Sequence, residues 1–153
     1  MNENELTADD IVIPALMRAA RGAYSKAIQT RLSTAGFEDV PRSGPYVLGG
    51  MGNHGIAPES LIRDLRVSKQ AASQLIDTLV VRGYLDRQIN PDDRRRMTLE
   101  LTNRGRAAAA AIRAGVEEVD TELATILSPD GIAALRAGLV ALIEVKERME
   151  QRT

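Results

Sequence analysis

Two sets of residues in this chain have the types and spacing to do chemistry, and both suit binding better than bond-making. The first is the run Asp92, Asp93, Arg94, Arg95 and Arg96 inside "NPDDRRRMTLELTNRG", residues 90–105. Three consecutive guanidiniums supply planar forks of donors that match phosphate oxygens and are drawn into a narrow groove of negative potential. The acids before them have no use in a simple cationic tail. Beside an arginine, however, a carboxylate can hold the guanidinium in one orientation through a charge-assisted hydrogen bond. The second set lies in "SKQAASQLIDTLVVRG", residues 68–83, where Lys69, Gln70, Ser73, Gln74 and Asp77 fall on the outer side of a helix that Ser68 would cap. These are mostly hydrogen-bonding side chains rather than the Glu/Lys mixture of an ordinary solvated face. In a major groove Gln pairs well with adenine and Lys with guanine.

Residues for catalysis or metal binding are sparse. The chain has no cysteine, which excludes a disulfide framework, a thiolate metal site and a cysteine redox switch within it. His54 is the only histidine and sits between Asn53 and Gly55, a setting that suits a solvated turn better than a ligand contact. The acids between Glu117 and Glu122 are spaced as a solvated helix edge, not as a catalytic carboxylate pair. No catalytic residue, metal site or cofactor is expected, and an enzyme is the poorer reading, although a carboxylate or Ser/Lys site is not excluded by sequence. Tyr24, Tyr46 and Met51, with His54, are candidates to line a pocket for a small aromatic or lipophilic effector; burial in a core is the commoner use of the first three.

The elements that must position these residues are mainly helical. The core must be largely aliphatic, because the 153 residues include one Phe, three Tyr and no Trp. The formal charge of −1 names no partner, but its distribution is uneven. Arg82 to Arg106 holds seven arginines against four acids, whereas Glu117 to Glu150 holds eight acids against three bases. A local basic face of this kind fits nucleic acid. The acidic, polar start "MNENELTADD" is unlike a secretory signal, and no apolar run approaches the roughly 20 residues that cross a bilayer. A soluble, cytoplasmic protein without membrane contact is expected.

Periodicity predicts a long amphipathic helix over "TADDIVIPALMRAARGAYSKAIQTRL", with Ile13, Leu16, Met17, Ala20, Tyr24, Ala27, Ile28 and Leu32 on its apolar side. A break at Gly36, Pro41 and Gly44 follows, and then a short buried helix containing Tyr46, Val47, Leu48 and Met51, weakened by its glycines. "PESLIRDL" and "KQAASQLIDTLVVRG", joined by the tight "RVS", read as a helix-turn-helix that ends at Gly83. Ala72, Leu75, Ile76 and Leu79 face inward. "YLDRQI" and "MTLEL" then read as strands, which makes the charged run the tip of a β-hairpin wing. Two further long helices close the chain: one capped by Thr102, with Ile112, Val116, Val119, Leu123 and Ile126 in a stripe, and one started by Ser128 and Pro129, with Ile132, Leu135, Leu139, Leu142 and Met149 in another. One winged domain cannot cover three such stripes, so a second subunit is expected to do so.

The chain resembles the MarR family of winged-helix regulators over nearly its whole length in the order of its elements. The specific likeness runs from Leu61 to Gly105: "ASQLIDTLVVRGYLDR" is similar to the family's recognition helix entering the first wing strand, and "DRRRMTLELTNRG" to its wing signature, closed here by Leu101, Thr102 and Gly105. The resemblance implies that Arg95 contacts a minor groove and that Asp93 positions it. It also implies a homodimer built from the terminal helices, binding double-stranded DNA, with small molecules bound between dimer core and winged domain. The expected fold is therefore mainly α with a small β wing: a winged helix-turn-helix over residues 41–105, and a helical dimerisation region over residues 1–40 and 106–153. The expected function is a transcriptional regulator, a repressor acting as a homodimer on a pseudo-palindromic operator; the alternative is a winged-helix dimer that binds a protein. Two departures stand out. Gln74 and Thr78 occupy positions where family members often carry Arg, and "GGMGNHG" is unlike the usual second helix.

Overall fold

The computed structural model describes residues 10–51, 60, 63, 68–89, 92–93, 95 and 97–152. Its elements are α1 (Ile13–Thr34), α2 (Gly44–Gly50), α3 (Lys69–Val81), β1 (Leu85–Ile89), β2 (Met97–Leu101), α4 (Asn103–Ile126) and α5 (Pro129–Glu150). Ser60 and Arg63, in the expected first helix of the helix-turn-helix, are helical; the rest of that helix, and "GNHGIAP" before it, lie outside the described residues. Two compact units, Met1–Val116 and Glu117–Thr153, divide the chain inside α4.

In the first unit, local signals set the boundaries of α3. The Ser68 hydroxyl accepts the Ala71 N–H at 3.1 Å, satisfying one of the donors that a helix start leaves free. At the other end the Gly83 N–H donates to the Val80 carbonyl and the Tyr84 N–H to the Leu79 carbonyl, both at 2.9 Å. This double closure requires a left-handed residue after the last turn, and Gly83 supplies it with φ +74°. The chain leaves α3 straight into β1. β1 pairs antiparallel with β2, placing Leu85 opposite Leu101, Arg87 opposite Leu99 and Ile89 opposite Met97. Leu85, Leu99 and Leu101 are buried on one face of this hairpin, while Ile89 and Met97 are exposed towards its tip.

The core of this unit joins Leu32 of α1, Val47 and Leu48 of α2, Met51, Ile76 and Leu79 of α3, Tyr84, the hairpin leucines, and Ala108, Ala109 and Ile112 of α4. α2 forms as its apolar residues suggest, but a helix of seven residues buries one side only. Val47 and Leu48 face in, and Tyr46 is 63% exposed instead of buried. In α3, Ala72, Ile76 and Leu79 are buried and Leu75 packs on the core at partial burial, as their spacing requires.

α4 starts where the wing ends. The Thr102 hydroxyl accepts the Gly105 N–H at 2.9 Å and donates to the Gly83 carbonyl at 2.5 Å, and the Thr102 N–H donates to the Tyr84 carbonyl at 3.1 Å. Gly105 lies so close to this turn that a Cβ there would overlap the Tyr84 carbonyl oxygen. The Leu-Thr-x-x-Gly sequence is thus a junction: the threonine caps α4 and ties it to the end of α3, and the glycine leaves room for the Tyr84 backbone.

The second unit contains the end of α4 and α5. Ser128 caps α5 by accepting the Gly131 N–H at 3.2 Å. Within α5 no residue is buried: Leu135, Leu139, Leu142 and Met149, expected to face inward, are exposed, as are Val140, Ile143 and Val145. In the first unit Ile13, Leu16 and Met17 of α1 are exposed as well. Among the described residues no helix is long and apolar enough to cross a membrane.

Gly105→Ala should lower stability by about 2 kcal/mol or more, because backbone cannot give way as a side-chain end can. Gly22→Ala, in α1 with nothing within 4 Å of the added methyl, should raise it by up to about 1 kcal/mol. Urea unfolding of both variants checks the contrast; equal effects would remove the junction from the account.

Candidate nucleic-acid interface

The polar row of α3 and the wing lie in the same compact unit. Ser68, Lys69, Gln70, Gln74 and Asp77 are exposed and Ser73 is half-buried, so the face opposite Ala72, Ile76 and Leu79 is free to meet a partner. It carries one lysine and one aspartate, with amides and hydroxyls between them. Its hydrogen-bonding capacity is high and its net charge low, a surface suited to reading edges rather than to attracting a polyanion.

An ion pair joins this helix to the wing. The Arg87 guanidinium of β1 donates to the Asp77 carboxylate of α3, with both side chains about half exposed. Asp77 therefore has a partner within the protein, which corrects its place among residues available for reading. An exposed pair of this kind adds little stability, typically about 0–1 kcal/mol. Its geometric effect is to link β1 directly to α3.

At the wing tip Asp92, Asp93 and Arg95 are exposed, while Arg94 and Arg96 lie outside the described residues. The Asp93 carboxylate accepts the backbone N–H of Arg95 at 3.0 Å. Asp93 thus acts on Arg95 through the main chain: its carboxylate closes a turn that ends on the arginine. An aspartate two residues ahead of another residue readily reaches its backbone N–H, a contact that sequence reasoning did not include.

A third cluster, at the base of the wing, escaped sequence reading. The Tyr84 hydroxyl donates to the Asp39 carboxylate, and Arg104 Nη2 donates to Asp39 Oδ1 at 2.8 Å and to Tyr84 Oη at 3.1 Å. The Arg104 guanidinium also lies 4.7 Å from the centre of the Tyr84 ring, a cation–π distance, and the Phe37 ring meets the same ring edge-on at 6.2 Å. Arg82 donates to the Asp39 backbone carbonyl. Three stretches distant in sequence, 37–39, 82–84 and 104, meet on one carboxylate. The hydrogen bond from Tyr84, reinforced by Arg104, holds the Asp39 carboxyl below the usual carboxylate range against the opposing effect of desolvation. Burial, and then the bond to Asp39, pushes the Tyr84 phenol up.

The residues considered for an effector occupy different settings. Met51 is a core residue, Tyr24 is half-buried on α1 and Tyr46 is exposed on α2; His54 lies outside the described residues. Among the described residues no group of three or more His, Asp or Glu is placed to hold a metal ion.

Comparison with known proteins gives one family. The model of the MarR family matches residues 38–96, which include Asp39, α3, β1 and the wing up to its tip. The reduced form of MarR from E. coli is 26% identical, with a TM-score of 0.65, over 91% of this chain and 98% of that one. FabT from Streptococcus pneumoniae, solved in complex with DNA, has a TM-score of 0.74 at 20% identity over 90% and 96% of the two chains. MepR from S. aureus, solved bound to ethidium bromide, has a TM-score of 0.58 at 18% identity over 90% and 99%. The last two likenesses show the winged-helix fold. A search of curated protein sequences gave no match.

The wing-base cluster has a pH signature. The Tyr84 phenol has a folded value raised above its unfolded value of about 10, so its contribution is complete below that pH and fades as pH rises through the folded value. Asp39 has the opposite sign: with its folded value depressed below about 3.9, its contribution holds above that pH and is lost as pH falls through the folded value. Tyr84→Phe should cost about 1 kcal/mol at pH 7, and the gap to the parent should narrow in alkali. Urea unfolding of the two proteins at pH 7 and near pH 11 measures it; no gap at pH 7 would show that the phenol bond contributes nothing, and a gap unchanged in alkali would show that folding does not raise the phenol.

Proposed function

We propose that the chain, whose residues 38–96 match the model of the MarR family, is a transcriptional regulator of that kind and acts as a homodimeric, sequence-specific DNA-binding repressor on a pseudo-palindromic operator. Residues 41–105 form the reading domain, and residues 1–40 with 106–153 form the region that pairs two subunits. Each α3 enters a major groove, where Ser68, Lys69, Gln70, Ser73 and Gln74 meet base edges and phosphates, with half-sites about 10 bp apart. Each wing places Asp93, Arg94, Arg95 and Arg96 at the flanking minor groove. The observation that carries this reading is the pairing, within one unit, of an exposed hydrogen-bonding helix face with an arginine-tipped hairpin held to it by Arg87 and Asp77. The DNA complex of FabT supports it by likeness of fold.

Dimerisation is supported by exposed apolar surface. Leu135, Leu139 and Leu142 follow one another at helical steps of four and three, and with Val140, Ile143 and Met149 they leave α5 without a buried residue. A helix this apolar calls for a partner surface, and a second copy satisfies it by symmetry. Release by an effector is the remaining part of the proposal. MepR's complex with ethidium supports a small aromatic or lipophilic ligand, and Tyr24 and Tyr46 keep ring surface accessible to one. Such a ligand derepresses only by binding a DNA-incompetent arrangement of the two reading domains more tightly than the competent one.

Low positive charge on α3 favours a second reading, in which the winged domain meets a protein and not DNA. Selection of bound sequences from a random duplex pool, at two salt concentrations, decides between them. A two-fold symmetric motif supports the first reading; salt-sensitive binding without any motif supports the second. With the motif in hand, Gln74→Ala should change base preference by about 1–3 kcal/mol at one position of each half-site. Arg95→Ala should weaken all sites together, and full affinity in that variant would remove the wing from DNA contact. Leu139→Glu should shift the protein from dimer to monomer in light scattering and lose operator binding; an unchanged mass would move the pairing surface elsewhere.

A further inference from the structure

We propose that Asp39 is a positioning residue for DNA binding: with Arg104 and Tyr84 it latches the base of the wing to the segment that leaves α1, and so sets the angle at which the wing is presented. The proposal rests on the DNA-binding reading above and adds a part that neither the α3 face nor the wing tip supplies.

The argument begins with an imbalance. Asp39 is an exposed aspartate in a connecting segment, where water would satisfy its carboxylate at no cost in order. It instead gathers Tyr84, Arg104 and, at its backbone carbonyl, Arg82, from positions 45, 65 and 43 residues away. An exposed ion pair loses side-chain entropy and gains little Coulomb energy in water, so the Asp39–Arg104 pair taken alone is a poor stabilising device. Two bonds converging on one carboxylate oxygen, from Tyr84 and Arg104, with a third at the backbone carbonyl of the same residue, are however an effective geometric device, because they tie one residue to separate chain segments.

The elements joined make the geometry consequential. Tyr84 immediately precedes β1, and Arg104 lies in the first turn of α4, just beyond β2. The two residues flank the hairpin, so a carboxylate that bonds both holds both of its feet. Phe37 against the Tyr84 ring adds an apolar stop on the same side. Residues 37–39 follow directly from the Leu32 turn of α1, where the Phe37 N–H donates to the Leu32 carbonyl at 2.8 Å. A displacement of the α1 end is therefore carried to the wing through a short, multiply bonded segment. A two-stranded hairpin of five-residue strands has little rigidity of its own. Its tip direction depends on how its base is held.

The sign of one substitution separates positioning from plain charge. Removing an acid from a DNA-binding unit strengthens its attraction to phosphates, so Asp39→Ala should tighten binding if Asp39 is only a surface charge. If Asp39 positions the wing, the same change should weaken binding by about 5- to 10-fold. Tyr84→Phe, which keeps the buried ring and deletes the hydroxyl, should act in the same direction and serves where Asp39→Ala fails to fold.

The experiment compares the parent dimer with both variants in operator titrations and in backbone amide exchange over β1 and β2, with melting temperature as the control. Weaker binding with faster exchange across 85–89 and 97–101, and melting within a few degrees of the parent, is the result expected. Tighter or unchanged binding, unaltered wing exchange, or an affinity loss that merely tracks a collapse of melting temperature in both variants overturns the latch. If the parent selects no DNA sequence at all, the DNA reading fails on its own, and wing exchange still decides whether Asp39 holds the hairpin.

Discussion

The contact on which the rest of the first unit depends is the approach of Gly105 to the Tyr84 carbonyl. There the end of α3, the first residue before β1 and the first turn of α4 occupy a space that admits no side chain. Thr102 closes it with bonds to the Gly83 and Tyr84 carbonyls while capping α4. Three chain directions are thereby fixed at one point, and the hairpin between Tyr84 and Thr102 is tied at its base before any sheet energy is counted. Two strands alone are marginal in water. These two persist because their base is closed and because Leu85, Leu99 and Leu101 enter the core beneath α3 and α4.

That constraint divides the hairpin into two chemical halves. Towards the base its side chains are buried or bonded to fixed partners, Leu85 and Leu101 in the core and Arg87 on Asp77. Towards the tip Ile89, Met97, Asp93 and Arg95 are exposed, and the Asx-type turn at Asp93 gives the backbone local order. A firm base and an open tip are what a wing needs if it is to present cations at a chosen angle without burying them. An arginine packed into the core would have to be paired, and a paired guanidinium has little left to offer a phosphate.

Elements decided by local chemistry were legible in the sequence. Ser68, Thr102 and Ser128 cap helices because a hydroxyl just ahead of a helix reaches free N–H groups wherever it occurs, and Gly83 ends α3 because few other residues accept its φ. The alternation in "MTLEL" and the turn between the strands placed the wing for the same reason. What stayed hidden depends on separation along the chain. Nothing near Asp39 announces Arg104 or Tyr84, and nothing near Asp77 announces Arg87, since a charged residue reads as solvated until the fold supplies its partner. Tyr46 shows the limit from the other side: its neighbours Val47 and Leu48 suggested burial for all three, but the rotation of about 100° per residue in a helix turns one of three consecutive positions outward.

The pattern of charge suggests how the proposed reading would divide its labour. The Thr78 hydroxyl of α3 donates back to the Gln74 carbonyl within the helix at 2.7 Å, so it adds no cation and engages its own backbone. With Asp77 held by Arg87, the helix face retains Lys69 as its cation beside neutral amides and hydroxyls. Long-range attraction to a duplex would then draw on the net positive charge of residues 82–106, seven arginines against four acids. Neutral amides discriminate by geometry at hydrogen-bond range, since a misplaced amide leaves both its own groups and a base edge unsatisfied. Attraction through the wing and discrimination through α3 would therefore be separable: the first falls with salt, and the second persists in whatever binding remains. Such a division makes the orientation of the wing relative to α3 the decisive variable, because a wing held at the wrong angle would draw the helix to the duplex without seating it in the groove.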